Sequence, residues 1–218
     1  TATVETDRGV YEARIEGAHD RLVEKKADGK TVFSLGSACD GCAEPDGGDL
    51  QKFRNLTIPE IVETVSVLDA RDLGFLLEGI PRNLEAARLG LAEPPGLKLG
   101  KHLQSLTERG ILPDSHVNRV RILAAAAADA RMGGVKVPIF GCFGSGNHGI
   151  TFFITVGETG RHLGKSDEEI AKALALGLLV IGVIKTRTGM LTPHCGCAVA
   201  AGTGAAAAIT WLLGGDAE

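Results

Sequence analysis

The sequence lacks the features that would place it among nucleic-acid-binding, membrane-spanning or disulfide-stabilised proteins. Its formal net charge is −4, so no excess of positive charge is available for a phosphate backbone. Its most apolar stretch, IAKALALGLLVIGVIK (170–185), contains Lys172 and is too short to span a bilayer. Five cysteines, an odd number with no secretory signal before them, argue against a disulfide framework. We therefore expect a cytoplasmic protein with no nucleic-acid partner and no membrane partner.

Aromatic side chains are also scarce, with one tryptophan, one tyrosine and seven phenylalanines in 218 residues. Small residues are abundant instead, as in RILAAAAADARMGG (121–134) and AVAAGTGAAAAI (198–209). Because the distance between packed helices depends on the side chains at their contact, such runs let helix backbones approach closely. The composition predicts closely packed helices around a polar feature.

The first 33 residues differ in pattern from the rest of the chain. Apolar and polar residues alternate there, with turn signals at residues 7–9 and 27–29, which is typical of a small antiparallel sheet. The segment SLGSACDGCAEPDGGD (34–49) is rich in glycine and acidic residues and reads as part of a linker over 34–56.

Helical patterning begins at Thr57 and predicts a helical domain over 57–218. Capping boxes mark two helix starts, because Thr57 is followed by Glu60 and Ser166 by Glu169. Further helices are predicted over about 70–80, 82–91, 98–107, 115–131, 148–163 and 167–187, the last of them as a buried core helix. The fold class is therefore α+β, with a mostly helical body and a small N-terminal β region (1–33).

Two cysteines one residue apart precede an alanine- and glycine-rich helix. Cys195 and Cys197 lie in TPHCGCAVAAGTGAAAAITWLLGG (192–215), where a helix is predicted over about 196–213, up to the double glycine. The amide groups and dipole at a helix start lower the pKa of a thiol and favour the thiolate, which is a nucleophile or metal ligand. The alternative is a pair of small buried apolar residues, since free cysteine is often buried.

A second chemical stretch is FGCFGSGNHGI (140–150), with four glycines around Ser145, Asn147 and His148. Amide groups that converge on a helix start form an anion-binding arrangement, so Ser145, Gly146, Asn147 and His148 are candidates for binding a substrate carboxylate. No Gly-Lys-Ser/Thr follows, which excludes a Walker A loop. The alternative is a tight turn between packed helices.

Arg131 and Lys185 are candidate clamps for the same carboxylate. Each is a cation at the edge of an apolar helical stretch, Arg131 after a run of alanines and Lys185 at the end of the most apolar helix. The alternative for each is a local ion pair or a charge that complements a helix C-terminus. The other histidines, His19, His102, His116 and His162, have no ligand-like spacing and are interpreted as surface or structural residues.

Four motifs in order resemble the serine dehydratase-like alpha-chain family, in particular the branch that contains L-cysteine desulfidases and many uncharacterised bacterial proteins. They are ADARMGG (128–134), GSGNHGI (144–150), KALALGLLVIGVIKTRTGML (172–191) and HCGCAVAAGTGAAAAITWLLGG (194–215). Weaker similarity reaches back to VETDRGVYEARIEGAH (4–19). The resemblance implies β-elimination from a small amino acid at a [4Fe-4S] cluster, giving pyruvate and ammonia, with sulfide released when cysteine is the substrate.

Carried over by motif, the resemblance makes Cys195 the first candidate for a cluster ligand and Cys197 the second. The family's other cluster cysteines lie in a later segment and its proposed base, a cysteine, in an earlier one, and this sequence contains neither. Cys42, in GCAEP (41–45), stands at the wrong place to be that base. We therefore interpret the chain as an internal piece of a longer protein, leave the catalytic base unassigned, and expect no cluster on this chain alone. A small amino acid is the expected partner, and a homo-oligomer is compatible with the sequence.

Two other functions stay open. The stretch GSGNHG (144–149) also resembles the carboxylate-binding loop of pyridoxal-phosphate dehydratases, although the nearby lysine, Lys136 in GGVKVPI, lacks the expected neighbours of a Schiff-base lysine. A non-catalytic amino-acid-binding or scaffold domain is the other alternative. The sequence does not distinguish serine from cysteine as substrate.

Overall fold

The computed structural model describes residues 1–16, 21–35, 52–93, 95–189 and 194–217. The chain divides into two compact units, Thr1–Asp49 and Leu50–Glu218. The first unit carries a four-stranded antiparallel sheet and the second carries the helices, so the predicted α+β class is confirmed. Cys42 and His19, which the sequence analysis considered, lie outside the described residues.

The sheet is a meander of strands in sequence order. Its strands are β1 (Ala2–Thr6), β2 (Gly9–Ile15), β3 (Leu22–Ala27) and β4 (Lys30–Ser34). The β3–β4 turn holds Asp28 at φ 50° and Gly29 at φ 76°, the positive values that a tight hairpin turn requires. Asp28 also accepts a hydrogen bond from the Val10 amide at 2.8 Å, which ties the turn to β2. Both predicted turns are confirmed.

The helical unit follows the predicted order. Its helices are α1 (Ile58–Val67), α2 (Ala70–Leu77), α3 (Gly79–Ala92), α4 (Leu99–Glu108), α5 (His116–Met132), α6 (Gly146–His162), α7 (Asp167–Thr188) and α8 (Thr203–Leu212), with a π-helical segment over Cys197–Gly202 directly before α8. The sequence pattern placed these helices to within a few residues. It did not predict the π-helical segment, nor that α6 begins as early as Gly146.

Both predicted capping boxes are present. The Thr57 amide donates to Glu60 Oε2 at 2.8 Å at the start of α1. At the start of α7, the Ser166 amide donates to Glu169 Oε2 at 2.9 Å, and the Glu169 amide donates to Ser166 Oγ at 3.2 Å. These bonds satisfy amide groups that have no partner within the helix, so the two starts are fixed locally.

Helix α7 is the buried core helix that the sequence predicts. It packs against α1, α2 and α8, and its apolar side chains are buried along most of its length. A methyl group added to Gly177 of α7 would lie 2.7 Å from the Gly204 carbonyl oxygen of α8, so the two backbones are in contact. The predicted close packing of helices is therefore present. Among the described residues, none of the helices combines the length and apolar character that a membrane crossing requires.

A second, smaller apolar cluster sits between α3, α5 and α6. It contains Ala86, Ala87, Ala126, Ala127, Ile150 and Ile154. Alanine side chains at this contact hold α5 close to α6. The C-terminal end of α5 consequently lies beside the start of α6, where the candidate residues are found.

Candidate functional site

Segments that are far apart in sequence meet at the start of α6. Arg131, near the end of α5, donates a hydrogen bond from Nη1 to Asn147 Oδ1 at 3.1 Å. A side chain on Gly196, between the two candidate cysteines, would collide with Nε2 of His148 and lie 3.4 Å from Nζ of Lys185. The structure thus brings together the candidate carboxylate-binding residues and the cysteine segment. Their roles in binding remain predictions.

A tight reverse turn leads into α6. Cys142 and Ser145 exchange backbone hydrogen bonds of 3.2 and 3.1 Å, and the residues between them, Phe143 and Gly144, have φ values of 46° and 73°. Ser145 caps the helix, because its Oγ accepts a hydrogen bond from the His148 amide at 3.4 Å. Gly146, Asn147 and His148 therefore belong to the first helical turn instead of a preceding loop. The amides of this turn have no carbonyl one turn earlier, which makes the position attractive to an anion.

Arg131 lies across this first turn. A side chain on Gly146 would approach Arg131 Nε to 2.5 Å, so glycine leaves the space that the guanidinium occupies. Within the described residues Arg131 pairs with no carboxylate. Its neighbour Asp129 instead accepts a hydrogen bond from the Gly100 amide at 3.0 Å, at the start of α4. The alternative of a local Asp129–Arg131 ion pair is therefore absent, and the Arg131 cation remains directed towards α6.

Lys185 and His148 form the buried side of the site. Only 2% of Lys185 and 6% of His148 is exposed. Burial lowers the pKa of Lys185, while the Cys142 and Cys197 thiols oppose that change. Burial and the neighbouring Lys185 lower the pKa of His148, which favours the neutral ring. Nδ1 of His148 is buried and has no hydrogen-bond partner among the described residues.

The two candidate ligand cysteines have opposite environments. Cys195 is exposed, and the backbone amides of Ala198 and Cys197 lower its pKa, as the sequence predicts for a helix start. Cys197 is half-buried, and its pKa is raised by burial and by Cys195, although a hydrogen bond with Thr151 acts the other way. The predicted lowering is therefore wrong for Cys197, because burial outweighs the helix start there.

Cys142 is a third thiol at the site. Burial, together with the neighbouring Cys197, raises its pKa to about 12, so it is a protonated thiol at neutral pH. Its proximity to Cys197 and Lys185 was not evident from the sequence.

An iron–sulfur cluster, if bound, would find at most part of its ligand set among the described residues. Cys195 fits one position, because its exposed sulfur faces two backbone amides that stabilise a thiolate. In the described ranges, however, no group of three or more histidine, cysteine, aspartate or glutamate side chains converges as a metal site. A cluster held by three or four thiolates therefore needs ligands from beyond these residues.

Sequence reasoning missed Asn83, which holds the segment before the turn. Asn83 is fully buried in α3, and its side chain forms two hydrogen bonds with the backbone of Phe140. Its place in the buried stripe of α3, three residues after Ile80 and four before Ala87, is the signal that could have identified it. A polar side chain at an apolar position of a helix needs a partner.

The helical unit also contains three of the other histidines and Lys136. His116 and His162 stack face to face with ring centroids 4.1 Å apart, and His116 Nε2 is 3.1 Å from Thr159 Oγ1. His102 lies on α4, and Lys136 is exposed between α5 and α6.

The chain matches proteins of one family. A family model described as serine dehydratase alpha chain matches residues 27–218. A UPF0597 protein of Clostridioides difficile is 38% identical over 209 residues, covering 94% of this chain and 48% of that protein. A UPF0597 protein of Kosmotoga olearia is 41% identical over 216 residues, covering 99% of this chain and 49% of that protein. The chain thus spans about half the length of the curated relatives it matches. No solved structure gives a significant match.

Proposed function

The chain belongs to the serine dehydratase alpha-chain family, and on this premise we propose that it provides the substrate-binding part of an amino-acid lyase. The reaction would be β-elimination of the L-serine dehydratase or L-cysteine desulfidase type, giving pyruvate and ammonia. In a protein of its relatives' length, the chain would contribute Cys195 as one ligand of a [4Fe-4S] cluster, with Cys197 as the second candidate.

The observation that supports this proposal is the contact between the cysteine segment and the start of α6. Gly196 lies against His148 and near Lys185, although more than ten residues separate each of them in sequence. A small amino acid is only a few ångströms long, so its carboxylate and its leaving group must be held by neighbouring parts of a protein. This contact meets that requirement.

The chain's own residues would bind and orient the substrate. The amides of Gly146 and Asn147, which have no carbonyl partner one turn earlier, and the guanidinium of Arg131 would hold the carboxylate, since both favour an anion. Lys185 would add a second positive charge on the buried side. When bound, an iron–sulfur cluster with an open iron position supplies a Lewis acid for the leaving group.

Anaerobic reconstitution tests the proposal. This chain and a protein of its relatives' length are incubated with iron and sulfide, and bound iron, acid-labile sulfide and pyruvate formation from L-serine and L-cysteine are measured. We expect cluster and turnover only in the longer protein. A stoichiometric cluster and turnover in this chain alone would show that its own cysteines suffice. A loaded longer protein that forms no pyruvate from either substrate would overturn the lyase proposal.

Two substitutions in the longer protein assign the roles. Arg131→Gln should raise KM for L-serine with a smaller effect on kcat, because it removes a carboxylate contact. Cys195→Ser should reduce bound iron. Lys101→Gln, which replaces an exposed side chain on α4, is the matched control and should leave both the KM for L-serine and the amount of bound iron unaltered. Equal behaviour of Arg131→Gln and Lys101→Gln would remove Arg131 from the site.

A non-catalytic amino-acid-binding domain is the second candidate function. It is favoured by the incomplete ligand set, since the described residues contain no group of three potential metal ligands. Calorimetric binding of L-serine to the longer protein, without cluster and without pyruvate formation, would support this function over the lyase.

A further inference from the structure

Asn83 makes an unusual connection between α3 and the segment that leads into α6. Its side-chain amide donates from Nδ2 to the Phe140 carbonyl oxygen at 3.0 Å, and its Oδ1 accepts from the Phe140 amide at 2.9 Å. One side chain thereby pairs with both backbone groups of a residue 57 positions away, as a neighbouring strand would. Asn83 itself is fully buried.

Phe140 is held on its other side by α6. A side chain on Gly149, in the second half of the first turn, would collide with the Phe140 carbonyl oxygen. The Phe140 ring packs edge to face on Phe153 of α6, with centroids 4.9 Å apart. Phe140 is therefore fixed between Asn83 of α3 and the beginning of α6, two residues before the turn that starts at Cys142.

We propose that Asn83 is a positioning residue that sets the geometry of the Cys142–His148 segment, which contains the carboxylate-binding amides. The inference rests on the proposed function for the importance of that segment. An apolar residue would fill the same place in the stripe of α3 without burying an amide, and burying an amide is unfavourable unless it is hydrogen-bonded. The two bonds to Phe140 are what the amide provides that an apolar side chain does not.

A pair of substitutions separates positioning from general stability. Asn83→Leu keeps the branched shape of the side chain, with slightly larger terminal groups, and removes both bonds. Asn118→Leu is the matched control, because Asn118 is also buried and donates to the Pro113 carbonyl oxygen at 2.9 Å, at the start of α5. Both variants should lower the urea midpoint of the chain. Only Asn83→Leu should shift the amide resonances of Asn147 and His148.

The alkylation rate of Cys142, followed by peptide mass spectrometry, gives a second readout. It should rise about tenfold in Asn83→Leu, the factor expected when one to two net hydrogen bonds no longer hold the segment closed. In Asn118→Leu the rate should stay that of the wild type. Equal Cys142 rates in the two leucine variants, or unshifted Asn147 and His148 resonances in Asn83→Leu, would overturn the proposal.

Wild-type hydrogen exchange keeps the test valid if Asn83→Leu does not fold. The Phe140 amide lies outside helices and strands, yet it should exchange as slowly as amides inside α6. Exchange at the rate of an open loop would contradict the proposal. Titration with L-serine, read at the Asn147 amide, is a separate measurement: if wild type does not bind, the substrate assignment fails while the exchange and alkylation results still decide the role of Asn83.

Discussion

The N-terminal sheet and the helical unit are stabilised in different ways. Every residue of β1 and β4 is exposed, and Val32 in β4 keeps 64% of its surface accessible. In the helical unit Phe152, Phe153 and Leu174 are completely buried. The order of the sheet therefore depends on backbone pairing and turns, whereas that of the helical unit depends on apolar burial. Substitutions of similar size should thus have very different effects in the two units.

The chain carries a natural reporter in each unit. Its one tyrosine, Tyr11, lies in β2, and its one tryptophan, Trp211, lies in α8. Selective excitation of tryptophan follows the helical unit alone, and tyrosine emission follows the sheet in a variant such as Trp211→Phe. Urea titrations with these two signals compare the free energies of unfolding of the two units.

The largest effect is expected for Phe153→Ala. This ring is fully buried, packs edge to face on Phe152 and Phe140, and would contact a methyl group placed on Gly79. Removing it leaves a cavity, so the free energy of unfolding measured by tryptophan emission should fall by about 3–5 kcal/mol. Phe75→Ala, an exposed phenylalanine of α2, is the control. Equal losses of unfolding free energy in the two variants would show that apolar burial does not dominate the stability of the helical unit.

A smaller effect is expected for Gly177→Ala at the contact of α7 and α8. The added methyl group would lie 2.5 Å from the Phe152 ring and 2.7 Å from the Gly204 carbonyl oxygen, so the helices must separate. Overpacking of this kind should lower the free energy of unfolding, measured by tryptophan emission, by about 1–3 kcal/mol. Gly74→Ala in α2, where a methyl group meets nothing within 4 Å, is the matched control and should be neutral or stabilising.

The stacked pair His116 and His162 predicts a modest pH dependence of the helical unit. Burial and the neighbouring His162 lower the pKa of His116 below that of the unfolded chain. Its contribution to stability is therefore complete above the unfolded pKa of about 6.5 and is lost as the pH falls below it. In His116→Gln the urea midpoint should fall less than in the wild type as the pH is lowered from about 7.5 to 5.5. The tyrosine transition should not respond to this substitution, and an unaltered tryptophan profile would contradict the prediction.

The smallest effect is expected in the sheet. Val32→Ala removes a side chain that is mostly exposed in β4. The free energy of unfolding measured by tyrosine emission should change by less than about 0.5 kcal/mol, which is the usual range for surface substitutions. A loss above about 1 kcal/mol would mean that Val32 is covered in solution and would remove the contrast between the two units.

Local chemistry made much of the fold predictable. The Asp28–Gly29 turn and the Ser166–Glu169 capping box involve residues a few positions apart, so propensity and spacing suffice to predict them. The long apolar pattern of α7 similarly predicts its burial, because a helix that is apolar on most sides has to lie inside a protein.

The site was predictable only in part. Its residues were identified from glycine patterns and family resemblance, but the contact of Gly196 with His148 depends on how α6, α7 and the cysteine segment pack. The same dependence made the expected pKa of Cys197 wrong, since burial by tertiary contacts outweighed the local helix start. Asn83 carried a signal, a polar residue in an apolar stripe, but its partner Phe140 is too distant in sequence to be inferred.

The π-helical segment Cys197–Gly202 sets the rotational phase between the cysteines and α8. A π turn contains one residue more than an α turn. If the same residues formed an ordinary α-helix, in which each residue turns by about 100°, Gly196 would rotate away from His148 by roughly that angle, although no residue of the site had been replaced. Deleting Ala198 at the same time would remove the extra residue that the π turn accommodates, and Gly196 would keep its direction. A one-residue gap at this position in a related sequence would therefore mark a protein that keeps the contact of its cysteine segment with α6 by forming an ordinary α-helix there.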